Sequence, residues 1–158
     1  MVIPGASIAG KPRLLSHAAA ATLPLAALTA WQALADHAAL RPGGQVLVQG
    51  AAGGIGIFAV QLAAILGGHV TATGRSADAG FVRDLGADRF ISTEAGSVSQ
   101  AASGFDVVID TVGDAVLDGS YGLAARGRPA SNPRSASGPG AGGQVQGSRY
   151  VLRRRAGR

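Results

Sequence analysis

The stretch QVLVQGAAGGIGIFAVQLAAILGGHVTATGRS, residues 45–76, decides the fold of this 158-residue chain. It opens with a short apolar run at 45–49 that glycines bound, and such a run is typical of a strand buried in a parallel sheet. A glycine cluster follows, then a helical pattern at 57–66 that ends at a Gly-Gly pair, and then a second strand at 70–73. This order predicts the first half of a βαβ unit.

The same alternation continues beyond this stretch. The pattern predicts a helix at 77–85, a weak strand at 89–91, a strong strand at 105–109 and a helix at 115–125. We therefore predict an α/β fold, an incomplete Rossmann-like parallel sheet with helices on both faces. Residues 41–125 form the predicted dinucleotide-binding domain.

Residues 1–40 are predicted to be a helical lead-in at a domain junction. Ser16 is a candidate N-cap, and Pro24 should end or kink the helix that Ser16 begins. A second helix at about 25–39 would place four residues on one face, and Trp31 is expected in the core or at a domain interface. These four residues are Leu28, Trp31, Leu34 and Ala35.

The C-terminal segment 126–158 differs from the rest of the chain. Six of the 14 basic residues and all nine acidic residues precede it, whereas the segment holds eight arginines and no acid, so the net charge of +5 describes a tail. Its sizeable apolar side chains are few, and ordering the backbone costs about 1–2 kcal/mol per residue. We expect a disordered tail. Two origins remain open, an out-of-frame translation of a GC-rich gene or a genuine basic tail that contacts nucleic acid or anionic lipid without specificity.

The absence of cysteine excludes a disulfide framework, thiolate catalysis and a cysteine-ligated zinc site. The three histidines lie far apart in sequence and have no metal-like spacing, so no metal site is predicted. An apolar run at 11–30 has features of a secretion signal, but His17 and Pro24 interrupt it. The prediction is a cytoplasmic protein without a membrane segment.

The glycine cluster has the composition of a loop that binds a dinucleotide. Gly53 and Gly56 fit the positions where the backbone approaches the pyrophosphate and where the helix packs on the strand, and Ala51 takes the first glycine position. The N–H groups of Gly54 and Ile55 would point to the pyrophosphate at the positive end of the helix. No Gly-Lys-Ser/Thr follows, which excludes the phosphate loop of nucleotide hydrolases.

The end of the second strand indicates which dinucleotide would bind. NAD-selective folds place an acid there to hold the ribose diol, but this chain has Gly74. Arg75 and Ser76 can donate hydrogen bonds to a 2′-phosphate. This favours NADP(H), and Asp78 nearby partly offsets the preference.

Four stretches carry a resemblance to a known family: AAAATLPLAALTAWQAL, VLVQGAAGGIGIFAVQLA, RDLGAD and FDVVIDTVG. Over about residues 3–125 the chain resembles the medium-chain dehydrogenase/reductase superfamily, and more closely its zinc-independent quinone oxidoreductase (zeta-crystallin-like) branch. The resemblance implies a Rossmann cofactor domain inserted in a GroES-like catalytic domain, and NADPH-dependent hydride transfer to a quinone or enone. It also implies that the chain is the cofactor-binding domain only, truncated at both ends.

The resemblance assigns roles to single positions but names no catalytic residue. Relatives often carry a lysine after the second strand and a tyrosine after the third, whereas here no lysine lies between Arg75 and Arg83, and Thr93 takes the tyrosine position. Relatives also often form homodimers. The implied cofactor contacts are Thr29 near the nicotinamide, Gly53, Gly54, Ile55 and Gly56 at the pyrophosphate, Gly74, Arg75 and Ser76 at the 2′-phosphate, and Val112 and Gly113 beside the nicotinamide ribose.

Other functions also fit the sequence. The chain could be a non-catalytic remnant that binds NADPH, a fragment of the enoyl-reductase module of a polyketide synthase, or an interaction protein with a basic tail on a Rossmann core.

Overall fold

The structure is a computed structural model that describes residues 4–96, 98, 103–113, 116, 119, 120, 123, 143–145 and 148–152. The helices are α1 His17–Ala21, α2 Leu23–Trp31, α3 Gly56–Ile65 and α4 Ala79–Asp84. The strands are β1 Gln45–Gln49, β2 His69–Gly74, β3 Arg89–Ser92, β4 Val107–Asp110, β5 Gly143–Val145 and β6 Ser148–Leu152. Single turns of 3-10 helix lie at Gly5–Ser7, Ser76–Asp78 and Thr93–Ala95.

The strands form one sheet in the order β3-β2-β1-β4-β6-β5. β3, β2, β1 and β4 are parallel, as the sequence predicts, and the chain changes direction across the sheet between β1 and β4. Gln49 pairs with Thr73 of β2 and with Asp110 of β4. The carboxyl ends of these three strands therefore lie level at one edge of the sheet.

The central strands are buried on both faces, which explains their continuous apolar sequences. Val46 and Val48 of β1 face the side covered by α2, α3 and α4. Leu47 faces the opposite side, where it packs with Phe105 and Val108. Small and β-branched side chains make up most of the layer under the helices, so helices and sheet can approach closely there.

The lead-in helices begin where the sequence predicts. The Ser16 hydroxyl accepts a hydrogen bond from the Ala19 amide at 3.1 Å, which confirms it as the N-cap of α1. Pro24 lies in the first turn of α2, where its missing N–H costs no helical hydrogen bond, so it separates the two helices. A π-helical turn at Gln32–His37 continues α2.

The predicted apolar face of the second helix is buried only in part, and Trp31 does not lie in the core. Leu28 and Trp31 are largely exposed, whereas Leu34 is fully buried, as are Ala30 and Ala33 beside it. The small side chains of the two alanines let α2 lie close against α3, and a face built on the larger Leu28 and Trp31 would hold the helices apart. Size complementarity, which a hydrophobic pattern does not contain, selects the buried face.

Two short strands lie in the segment for which the sequence predicts disorder. β6 pairs antiparallel with β4, and β5 pairs antiparallel with β6. These strands hold the few sizeable apolar residues of the segment, namely Val145, Tyr150, Val151 and Leu152, and they pair the outer edge of β4. The other residues of 126–158 are outside the described ones.

The helix predicted at 115–125 lies largely outside the described residues, although Val116, Gly119 and Ser120 within it are helical. Among the helices that the structure describes, none has the length and apolar character needed to cross a membrane.

Candidate functional site

A cavity of about 730 Å³ opens at the carboxyl ends of β1, β2 and β4. It lies where the sheet changes direction, which is the usual ligand position in open parallel α/β sheets. Four predicted site residues line it, namely Gly53, Gly74, Arg75 and Val112. Sequence reasoning did not name three further lining residues as site residues, namely Gln49, Gly50 and Thr111. Thr93, which takes the tyrosine position of relatives, lines the cavity as well.

The turn after β1 requires glycine at position 50. Gly50 has a φ of +71°, and a Cβ built there would lie 2.6 Å from the Thr111 hydroxyl oxygen. Gly50, the residue with the left-handed backbone, comes one position before Ala51, which takes the first glycine position of the fingerprint. An alanine therefore fits at position 51, where it is fully buried. A glycine directly after the strand was the signal for this residue.

Gly53 and Gly56 control how closely the loop and α3 approach the strand. A Cβ on Gly56 would collide with the carbonyl oxygen of Gly50 and would lie 2.8 Å from the Ala51 backbone. This geometry matches the helix-packing position expected for Gly56. A Cβ on Gly53 would lie 3.1 Å from the same carbonyl oxygen, which is tight, and Gly53 faces the cavity.

The start of α3 presents amide groups that the protein itself does not use. Ile55 is the N-cap, and no side chain caps the helix. The Gly53 amide donates to the Gly50 carbonyl at 2.9 Å, but among the described residues the amides of Gly54 and Ile55 have no acceptor. Together with the partial positive charge of the helix end, these groups fit an anionic pyrophosphate. Neither residue lines the cavity itself, so their contact with the cofactor stays a prediction.

The loop after β4 is held rigidly against β1. One Asp110 carboxylate oxygen accepts hydrogen bonds from the amides of Val112 at 2.8 Å and Gly113 at 3.1 Å. The Thr111 hydroxyl donates to the Gln49 carbonyl at 2.8 Å. Asp110 is therefore structural, and it holds Val112 at the cavity. Gly113 has a φ of +88° and does not line the cavity.

The buried polar groups behind this loop complete its support. The Ser120 hydroxyl lies 3.1 Å from the Gln49 side-chain oxygen and donates to it. The second carboxylate oxygen of Asp110 is buried and has no hydrogen-bond partner among the described residues.

The end of β2 carries a cation that an acid already pairs. The Arg75 side chain is 76% exposed, and its Nε lies 3.3 Å from the Asp78 carboxylate. Both residues line the cavity. The sequence predicts that Asp78 partly offsets the preference for NADP(H) that Arg75 favours. In the structure the two side chains form a direct ion pair, which is weak at such exposure.

Ser76 and the turn after β3 are joined by hydrogen bonds. The Ser76 amide donates to the Glu94 carboxylate at 3.2 Å, and its hydroxyl lies 2.7 Å from the Ser92 hydroxyl. The Thr93 hydroxyl donates to the Gly74 carbonyl at 3.2 Å. Sequence reasoning missed Glu94, although its place just after a parallel strand put it at the same edge of the sheet.

The Glu94 carboxyl responds to these neighbours. Its pKa is held below the ordinary value of 4.5, first by the Ser76 side chain and then by the Ser76 amide, with a further contribution from the positive charge of Arg75. The carboxylate is therefore ionised at neutral pH.

Thr29 is not brought to the cavity. It is buried in α2 and does not line the cavity wall. Its role near the nicotinamide stays a prediction.

For metal binding, the described part of the chain has no group of three His, Cys, Asp or Glu side chains that could hold an ion.

A family model described as zinc-binding dehydrogenase matches residues 54–128. The described residues supply no donor set for zinc, so they do not fit that metal. The match begins within the glycine loop, at Gly54, and covers α3 and the strands β2 to β4.

Several known proteins are similar to the chain. The mitochondrial NAD(P)H oxidoreductase RTN4IP1 of Homo sapiens is 39% identical over 120 residues, which are 72% of this chain and 30% of that protein. The quinone oxidoreductase of Coxiella burnetii is 36% identical with a TM-score of 0.69, over 72% of this chain and 36% of the other.

The structure of the CurK enoyl reductase is 32% identical with a TM-score of 0.65, over 74% of this chain and 37% of the other. The chain thus spans about a third of the length of each of these three proteins.

Proposed function

Because the chain belongs, over the region that these matches cover, to the medium-chain dehydrogenase/reductase superfamily, we propose that it forms the cofactor-binding part of an NADPH-dependent oxidoreductase of the quinone or enone reductase type. The relatives support an oxidoreductase with a nicotinamide cofactor. NADPH as the cofactor, and a quinone or enone as the acceptor, are the finer parts of the proposal.

The position of the glycine loop is the main support for a cofactor site. The glycine loop lies at the carboxyl edge of the sheet, beside the change of strand direction, and opens on a cavity of about 730 Å³. Pockets of 300–1,000 Å³ are usual for small molecules and cofactors. Gly56 makes the close packing of the loop possible, because any side chain there would collide with backbone atoms.

The carboxyl edge of the sheet has groups suited to each part of the dinucleotide. The free amides of Gly54 and Ile55 would bind the pyrophosphate, and Arg75 with Ser76 would bind the 2′-phosphate. Val112, which Asp110 holds in place, would lie beside the nicotinamide ribose. When bound, the nicotinamide would supply the hydride, and the protein would orient it and exclude water.

The acceptor is proposed from the relatives. The Coxiella burnetii structure is that of a quinone oxidoreductase, which favours a quinone. A second candidate, an enoyl reductase, is favoured by the similarity to CurK. The CurK match covers about as much of this chain as the Coxiella burnetii match does. Both reactions place the hydride of the same cofactor on an electron-poor carbon or carbonyl, so one site serves either.

The experiment is a titration of the purified chain with NADPH and NADH, followed by nicotinamide fluorescence. We expect saturable binding, and we expect Gly53→Ala to weaken it about tenfold, since the added methyl lies where the backbone must approach the pyrophosphate. Absence of binding by the wild type at millimolar nucleotide would contradict the proposal.

The matched control is Gly80→Ala. Gly80 is an exposed position in α4, and a Cβ there meets no atom within 4 Å. Alanine should stabilise the helix by about 0.5–1 kcal/mol and leave nucleotide affinity unchanged. If Gly80→Ala weakened binding as much as Gly53→Ala, the loop assignment would be wrong. Turnover of a simple quinone or enone with NADPH then tests the reaction.

A further inference from the structure

The donors at the end of β2 already hold an anionic group of the protein. The Ser76 amide donates to the Glu94 carboxylate at 3.2 Å. Arg75, the next residue toward β2, lies close enough for its charge to stabilise the ionised form of Glu94. A carboxylate that accepts from a backbone amide beside an arginine is stabilised by the same kinds of group that hold a phosphate.

The position of these donors decides what they would otherwise bind. Arg75, directly before Ser76, and Asp78, two residues after it, line the cavity at the end of β2. Thr93, next to Glu94, lines it as well. This end of a dinucleotide site receives the adenosine ribose. A 2′-phosphate at this end of the site would compete with the Glu94 carboxylate for the Ser76 amide.

We propose that Glu94 is a specificity-determining residue of the cofactor site, because its carboxylate occupies the Ser76 amide that a 2′-phosphate would use and so reduces the preference for NADPH over NADH. The inference rests on the proposed function, since it concerns the same site.

The turn that carries Glu94 is fixed, so the competition is built into the fold. Thr93 donates to the Gly74 carbonyl, and the Ser92 hydroxyl accepts from the Glu94 amide at 3.2 Å. These bonds tie the ends of β2 and β3 together. To admit the phosphate, the site must turn the Glu94 side chain away and leave the Ser76 donors to the ligand.

Charge acts in the same direction. The acids Asp78 and Glu94 face one cation, Arg75, at this end of the cavity. A 2′-phosphate adds about −1.5 to −2 charges near pH 7, as other phosphate monoesters do. NADH, which has a ribose hydroxyl instead, can donate to the carboxylate.

The test compares the wild type with Glu94→Gln and Glu94→Ala by titration with NADPH and NADH. We expect both variants to bind NADPH about two- to tenfold more tightly, which corresponds to the loss of an exposed charge contact and its competing hydrogen bond. NADH affinity should not rise. The same ordering should hold for 2′,5′-ADP against AMP, which isolates the 2′-phosphate from the rest of the cofactor.

The control is Asp84→Asn, which removes an exposed acid of α4 outside the cavity and changes the net charge equally. It should leave the ratio of the two affinities unchanged. An unchanged ratio in both Glu94 variants, or an equal gain for both nucleotides, would overturn the inference while the proposed function stands. A wild type that binds neither nucleotide would instead overturn the proposed function, and the inference with it.

Discussion

Single residues set the shape of the loop after β1. Gly50 provides the left-handed turn. Gly56 has no side chain, which lets α3 pack directly against the loop. Ala51 is tolerated between them because its own backbone is not left-handed and its small side chain is buried. The loop thus depends on the geometry at two glycines more than on the complete fingerprint.

The hydrogen bonds of Glu94 predict how stability depends on pH. Its pKa is lowered in the folded chain, mainly by Ser76 and also by the charge of Arg75, which Asp78 pairs. The stabilisation is therefore fully present above the unfolded value, near 4.5, and is lost as the pH falls through the lower folded value.

The measurement is urea unfolding of the wild type and Glu94→Gln at about pH 7 and about pH 3. We expect the wild type to be the more stable protein at neutral pH and the difference to shrink in acid. The control Asp84→Asn makes the same change in net charge at an exposed position of α4. A difference that grew in acid would mean that the folded pKa of Glu94 is raised, against the contacts described.

The sequence anticipated those site residues whose role follows from local pattern. Gly53 and Gly56 follow from the fingerprint, and Arg75 follows from its place after a strand. Glu94 did not follow, because its role depends on the pairing of β2 with β3 and on the direction of its side chain. A motif within one loop contains neither fact.

At the scale of elements, the close packing of α2 on α3 is the feature that the sequence pattern misjudged. The pattern placed Leu28 and Trp31 on the same face as Leu34, but only Leu34 is buried, and it lies among small residues. The ends of the strands were predicted better, because glycines bound the apolar runs of β1 and β2 and fix where each strand begins and ends.

This packing predicts opposite outcomes for two leucines of the same segment. Leu34 is 0% exposed and Leu28 is 53% exposed. Leu34→Ala should lower the free energy of unfolding by about 2–5 kcal/mol through lost burial and a cavity. Leu28→Ala should change it by no more than about 0.5 kcal/mol.

Chemical denaturation followed by circular dichroism measures both variants. Equal losses of stability for Leu34→Ala and Leu28→Ala would contradict the described face of α2.

At the scale of the whole molecule, the sheet separates two edges with different chemistry. The carboxyl edge holds the glycine loop, the Asp110-held turn and the Ser76–Glu94 contact around the larger cavity. The amino edge has a second cavity of about 420 Å³ beside His69, Asp88 and Arg89.

The parallel order of β1 to β4 was predictable from the alternation of strands and helices. The antiparallel pairing of β6 with β4 was not predictable, because it joins segments that lie far apart in the sequence, and the segment that holds β6 has low apolar content.

The central claim is that a nicotinamide dinucleotide binds at the carboxyl edge. The most direct measurement is a ¹⁵N–¹H correlation spectrum of the labelled chain during titration with NADPH. The claim predicts shifts at the amides of Gly53, Gly54 and Ile55 and at Arg75 and Ser76, with His69 and Asp88 unchanged. Shifts confined to the amino edge, or none at millimolar NADPH, would contradict it.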